Sequence, residues 1–527
     1  MANALQQRRP DGRAPVGLPR VGVVPAQELA ARRRLFDALA ASFGVHFEVG
    51  AAAGDAATVA FGVEAPPGPP SVRFAPAATR LQGDVALHDV PSLDARLRGH
   101  TLADGRALGP PLPVEPGDVV LASCAGSAVW TAGPDGLARR SAVAPDELGA
   151  EESVRDQFLD GRFLALLTLV ELLRAVTGGG GWTPPPPRAC FVLDDPNLHR
   201  PRYGHADFHE LAAHARRHGY HVTVATVPAD QWLVSDRAAD AFRDTADLSL
   251  AVHGNDHLHG ELGLPLAAQA REALVSQALR RIESLERRTG LRVARVMVAP
   301  HETCSDPMAE TILRSELEAL CYGFGARAAG RPRADWEPAD LRGPGLPVLP
   351  RRPLRSPRGE LVLRAYLDQP LILGFHQRDL ADGLEVLAEA AAEIDAIAQP
   401  RWLPLGEIAR ANVARRRDGD TLRLRPYARR FTVDVPPGVE TVSVELPSTH
   451  AAPELELLIA RAQAGAVSRP LAVTPGESLD LVLRRVDAFD HHTVAAPRRK
   501  VWAAPRRLVT EGRDRLSAAG PRRRAQR

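Results

Sequence analysis

Four short apolar segments in the middle of this 527-residue chain run directly into an acid or a histidine. Residues 189–193 end at Asp194-Asp195, 248–252 at His253, 293–299 at Pro300-His301, and 370–374 at Phe375-His376. A β-branched segment, 221–227, lies among them, and helical patterns fill the gaps at 208–218, 266–289 and 380–396. Strand-then-helix repeats predict parallel strands joined by right-handed crossovers, in a barrel or an open sheet. Ligand sites in such α/β architectures collect at the carboxyl ends of the strands. The ionisable residues stand at those ends, so a site is expected there.

The flanking regions follow other patterns. Residues 20–150 predict an N-terminal α/β domain, with strands at 21–24, 46–49, 58–63, 71–74 and 118–122 and a helix at 27–43. It has no GxGxxG turn, so dinucleotide binding finds no support, and its role stays open. Residues 151–187 predict one helix over 151–176 and then a Pro/Gly-rich linker. Residues 188–412 carry the β/α repeats. Residues 420–490 predict a β-sandwich-like domain, with strands at 421–425, 431–435, 441–446, 455–459 and 479–483 between Pro and Gly turns. Residues 498–527 hold eleven basic and two acidic residues. They predict a disordered basic tail, able at most to make weak contact with an acidic surface.

Composition excludes several functions. The 66 basic and 64 acidic residues nearly cancel, which speaks against a specific nucleic-acid partner. Lys500 is the sole lysine, so a P-loop lysine or a Schiff-base lysine has no candidate before the tail. The four cysteines, Cys124, Cys190, Cys304 and Cys321, form no CxxC pair. They predict reduced thiols and a cytoplasmic location. Cys124, in Ser-Cys-Ala-Gly-Ser, has no His/acid partner nearby and reads as a small buried residue. The first 20 residues lack the apolar region of a secretory signal. The longest apolar stretch, 163–170, is far short of the roughly 20 residues of a transmembrane helix.

The sharpest local pattern is His253-Gly-Asn-Asp-His257. On a helical turn, positions i and i+4 share a face, and two imidazoles there can reach one ion. Neutral imidazole suits a divalent metal, Zn²⁺ first among them. Asp195 is the nearest strand-end carboxylate able to complete a facial triad. No glutamate follows His253, so HExxH chemistry is disfavoured.

With these motifs, residues 188–412 resemble the NodB-homology polysaccharide deacetylases, the carbohydrate esterases of family four. Phe191-Val-Leu-Asp-Asp195 resembles that family's first motif, and His253-Gly-Asn-Asp-His257 its second. Ala299-Pro-His301 stands at the place of its third motif, and Leu373-Gly-Phe-His376 resembles its last. The resemblance implies a distorted (β/α) barrel and a metal held by Asp195, His253 and His257. It further implies Asp194 as base, His376 as general acid, and His301 as a wall of the substrate groove. The chain departs from the pattern at three points. Pro196 replaces a glycine, no arginine precedes Ala299-Pro300, and His301 replaces an aromatic residue. Asp335-Trp336 offers a weak match to a fourth motif.

The expected function is therefore metal-dependent removal of an acyl group, chiefly acetyl, from an N-acylated sugar or polysaccharide. Tyr203 and His199, close behind the Asp-Asp pair, are further substrate-binding candidates. Asn197, His205, His209, His259, Glu302 and Trp402 are possible groove walls, and His491-His492 looks incidental. The alternatives are an inactive carbohydrate-binding protein on the same barrel and a scaffold with a spacer barrel. A glycosidase would need a second strand-end carboxylate to pair with Asp194, and none is visible.

Overall fold

The computed structural model describes residues 18–52, 54–75, 83–104, 111–150, 152–178, 181–258, 260–323, 338–342, 345–447, 455–459, 462–467, 469–497, 505–506 and 509–514. Asp335-Trp336 and His259 lie outside them.

The N-terminal region builds a nine-stranded mixed sheet. Its parallel half pairs Arg20–Val24 with His46–Val49 and Ala57–Phe61, and continues through Ser71–Phe74 to Ala138–Ser141. Its other half is an antiparallel meander of Ser127–Ala132, Val119–Cys124, Asp84–Leu87 and Thr101–Ala103. The helix expected over 151–176 is two helices, Val154–Leu159 and Phe163–Thr177. The break falls at Gly161, whose φ of 75° a helix cannot continue through. Every residue from Phe163 to Leu173 is buried. An element apolar all round must be covered on all sides, and this one packs against Ala57–Phe61, Ser71–Phe74 and Ala138–Ser141. It packs into the core of the N-terminal sheet.

The middle region closes into a barrel of seven parallel strands. In chain order these are β1 Arg188–Asp194, β2 Val222–Thr226, β3 Leu248–His253, β4 Val293–Val298, β5 Ala319–Gly323, β6 Leu346–Pro353 and β7 Leu371–His376. β1 pairs with both β2 and β7 and so shuts the ring. The helices α1 Phe208–His218, α2 Ala268–Thr289 and α3 Glu385–Ala398 lie outside it.

Side chains alternate along each strand. Ala189, Phe191 and Leu193 join the large core beneath the helices. Cys190 and Val192 join a second, enclosed cluster with Ala225, Ala251, Val296, Val298, Ala319, Cys321, Leu349 and Ile372. These small and branched residues fill a narrow barrel interior. Continuing the same parity to the strand ends puts Asp194, His253, Arg351 and His376 on the inward side, at the barrel mouth.

Two of the seven strands, β5 and β6, carry no strand signal in the sequence reading. β6 contains Pro347, Pro350 and Pro353, which argue against a central strand. β5 is registered only with Val348–Arg351, β7 only with Arg351–Pro353, and Asp340–Arg342 with Leu346–Val348, so each proline has one registered neighbour, which takes only alternate N–H groups.

The C-terminal region forms two four-stranded sheets. One holds Val413–Asp418, Thr421–Pro426, Thr441–Val444 and Leu471–Ala472. The other holds Arg430–Asp434, Ser478–Arg485, Leu455–Ile459 and Ala462–Ala466. Their inner faces share a core that includes Leu424, Phe431, Val433, Val442 and Leu481, a small sandwich. The tail departs from expectation, because residues 505–506 and 509–514 are helical. Its two acids give the reason. Glu511 meets His199 at 3.0 Å and Asp514 accepts from Tyr203 Oη at 3.1 Å, so the segment is docked on the barrel. Among the described residues no helix is long and apolar enough to cross a membrane.

His221, just before β2, is buried with Nε2 at 2.8 Å from Ser249 Oγ, and burial lowers its pKa to about 4. The unfolded chain regains an ordinary imidazole near 6.5 and binds a proton that the folded chain refuses. Stability should therefore fall as pH drops from about 6.5 to 4, by on the order of 3 kcal/mol from this group. Urea midpoints measured across that range should show a shallower loss for His221→Gln than for the parent chain.

Candidate metal centre at the barrel mouth

Asp195 directly follows β1 and sits at a φ of 82°. Its Oδ1 lies 3.0 Å from His257 Nε2 and 3.5 Å from His253 Nε2. One ligand atom from each of the three residues falls within 4.8 Å of the others. Ligand atoms about 2.0–2.2 Å from a tetrahedral ion stand about 3.3 Å apart, and the two measured separations bracket that spacing. His253 Nδ1 lies 3.0 Å from the Val298 carbonyl oxygen. Donating its proton there leaves Nε2 bare toward Asp195, as a metal-binding imidazole requires. The donor set and its geometry fit a divalent ion.

The expected helical turn for the two histidines is absent, because β3 ends at His253 and residues 254–257 form a tight loop. The loop turns on Gly254 at φ 63°, where a Cβ would collide with Glu261 and Pro300. The fully buried Glu261 carboxylate holds it, accepting from the backbone N–H groups of Asn255, Asp256 and His257 at 2.5–3.2 Å. α2 clamps it from outside through Gln277 to Asn255 and Arg281 to Asp256. The i,i+4 spacing succeeds through a carboxylate anchor, without a helix.

Asp194 lies alongside, and both its oxygens accept from Arg351, each at 2.7 Å. Acid and arginine are both nearly fully buried. Arg351 reaches over from β6, and Gly374 on β7 leaves the room, since a Cβ there would stand 3.2 Å from the arginine Cδ. Its Nε also bonds Glu302 Oε1 at 2.7 Å, and Glu302 accepts from the Gly323 N–H. An arginine thus serves Asp194 and Glu302, from a strand the sequence reading passes over.

The electrostatics follow. Burial pushes the Asp194 carboxyl up, but Arg351, His253 and His376 outweigh it and hold its pKa below the ordinary value. Burial likewise opposes ionisation of Asp195, and His253 and His257 override it and hold Asp195 well below the usual range. Burial depresses the His253 imidazole, while Asp194 and Asp195 more than restore it and leave it raised.

His376 ends β7 in register with Asp194 on β1, and is exposed at the mouth. Its backbone N–H donates to Asp379 at 2.8 Å, which fixes the turn that follows. The His301 ring lies 5.0 Å from that of His257. Four of the seven described non-glycine residues at positive φ are Asp195, His257, His301 and Glu302. Such backbone costs on the order of 1–3 kcal/mol per residue, and its concentration at one place is typical of functional sites.

Two candidates are engaged elsewhere. His199 spends Nδ1 on Glu511 and Nε2 on the Asp230 carbonyl, at 3.0 and 2.8 Å. Tyr203 is buried with its hydroxyl on Asp514. Both hold the C-terminal segment, so their polar groups are not presented to a substrate.

Solved structures similar to this chain include three deacetylase-type proteins. A Mycobacterium smegmatis protein described as a polysaccharide deacetylase has 16% identity, covering 43% of this chain and 93% of that one, with a TM-score of 0.28. A family 4 carbohydrate esterase from Streptomyces lividans, in complex with acetate, has 12% identity, covering 41% and 88%, with a TM-score of 0.24. The T48 deacetylase with substrate has 10% identity, covering 42% and 94%, with a TM-score of 0.24. No family model and no curated protein matches the chain.

Proposed function

We propose that this chain is a metal-dependent hydrolase that removes an acyl group, acetyl first, from an N-acylated sugar or polysaccharide. The supporting observation is the Asp195, His253 and His257 trio beside an aspartate held by arginine, at one barrel mouth. Asp195, His253 and His257 would hold the ion, with Zn²⁺ the best match to two imidazoles and a carboxylate. Such an ion, when bound, acidifies water and polarises a carbonyl.

The chain's own residues supply the rest. Asp194 stays ionised because Arg351 pins both its oxygens. A carboxylate has about four lone-pair directions, so two remain to accept the proton of an attacking water. Arg351 fixes where those directions point. His376, in register on the neighbouring strand, would return a proton to the leaving amine nitrogen. His301 stands beside His257 at the rim and would form one wall for the sugar. The cysteines Cys124, Cys190, Cys304 and Cys321 are buried free thiols, in keeping with a reducing compartment such as the cytoplasm.

The test is acetate release from N-acetylated oligosaccharides. Release should vanish after dialysis against a chelator and return when zinc chloride is restored. Metal-loaded protein that binds the oligosaccharide but frees no acetate would instead establish the inactive carbohydrate-binding alternative.

A further inference from the structure

A second group of metal-type donors lies away from the mouth. His214 and His218 stand one turn apart on α1, and their rings stack with centroids 4.3 Å apart. Glu385, the first residue of α3, brings Oε1 to 3.6 Å from His214 Nε2. One donor atom from each of the three residues falls within 4.8 Å of the others.

His214 is 7% exposed, and its Nε2 has no hydrogen-bond partner. A polar nitrogen buried without a hydrogen bond is costly, and this one faces the Glu385 carboxylate, 3.6 Å away and too far for a hydrogen bond but well placed to share an ion. Its Nδ1 is already committed, 2.7 Å from Tyr220 Oη. With the proton on Nδ1 and donated to the tyrosine oxygen, Nε2 presents a bare lone pair toward His218 and Glu385. This is the outer hydrogen bond that orients ligating imidazoles.

We propose that His214, His218 and Glu385 form a second divalent-metal site, structural in role, which ties α1 to α3 on the outside of the barrel. Two imidazoles and one carboxylate select a borderline ion such as Zn²⁺, Co²⁺ or Ni²⁺ over Mg²⁺ or Ca²⁺, which prefer all-oxygen shells. Tyr220 lies two residues before β2, so the site sits at the opposite end of that strand from Asp194, which registers with Ala225. It is a separate site, independent of the proposed chemistry at the mouth. His218 is half-buried and Glu385 exposed, so metal can enter from solvent and a water can complete the shell.

The test is the zinc content of the full-length protein after equilibrium dialysis against micromolar zinc chloride. The parent chain should bind one equivalent more than His218→Ala, and Glu385→Gln should weaken that equivalent at least tenfold. Glu385 is exposed, so its replacement leaves folding unthreatened. The equivalent lost in His218→Ala should remain in His257→Ala, which touches only the mouth. Zinc addition should also raise the melting temperature of the parent chain more than that of His218→Ala. Equal zinc content in the parent, His218→Ala and Glu385→Gln proteins would overturn the proposal. So would an outer-site equivalent that disappears in His257→Ala.

Discussion

Arg351→Met should cost the protein about 3–5 kcal/mol of stability and, on the proposed function, most of the acetate release, while leaving zinc binding at the mouth unchanged. Among the described residues the arginine is the hydrogen-bond partner of both oxygens of buried Asp194, and it also bonds Glu302. Removing it leaves a carboxylate in a low-dielectric site with its compensating charge gone. Loss of one member of a buried ion pair is far more damaging than loss of an exposed one. Asp194 would respond by taking up a proton, because burial already pushes its pKa upward and Arg351 is the main counterweight. A protonated Asp194 cannot accept a proton from water, so kcat should fall at least about 100-fold, the usual contribution of a positioned base. Arg351→Lys should recover part of the stability but little of kcat, since a point charge cannot hold two oxygens in one fork. Urea unfolding and steady-state kinetics check both effects. An unchanged urea midpoint together with an unchanged kcat in Arg351→Met would refute the assigned role.

The barrel and its site were legible in the sequence to different depths. β1, β3 and β7 announce themselves because an apolar run ends abruptly on Asp194, His253 or His376, and such an end has few explanations in a core strand. The candidate metal trio follows from those ends and from the spacing of His253 and His257. The loop that carries them was misread, since i,i+4 spacing alone does not separate a helical turn from a loop bent at Gly254 around a buried carboxylate. Glu261 was invisible for the same reason, because its partners are three backbone N–H groups, which leave no mark in the sequence. Arg351 escaped because three prolines disguise β6. The one available signal was its place in Leu349-Pro-Arg351, again an ionisable residue at the end of an apolar run. His199 and Tyr203 lie close behind Asp195 in the chain, and nearness in sequence does not tell which way a side chain turns. The carboxylates that engage them, Glu511 and Asp514, lie over 300 positions away in a tail whose net charge points to disorder.

His257→Ala should abolish stoichiometric metal at the mouth and lower acetate release by on the order of 10³-fold or more. An ion that acidifies water and polarises a carbonyl supplies several kcal/mol of barrier lowering, and about 4 kcal/mol corresponds to about 10³-fold. His257 offers Nε2 at 3.0 Å from Asp195 Oδ1, the shorter of the two histidine contacts, so a two-ligand remnant of Asp195 and His253 should hold metal poorly. Glu261→Gln separates ligand loss from loop loss. It keeps all three ligands and removes the negative charge on which the N–H groups of Asn255, Asp256 and His257 converge. An amide still offers one oxygen, so the loop should loosen without collapsing. Metal affinity should then drop about 10–100-fold, the usual cost of losing an orienting partner, and excess zinc should restore the rate in Glu261→Gln but not in His257→Ala. Rescue of His257→Ala by excess zinc would place the ligand set elsewhere. Failure of zinc to rescue a folded Glu261→Gln would mean that the carboxylate does more than hold the loop.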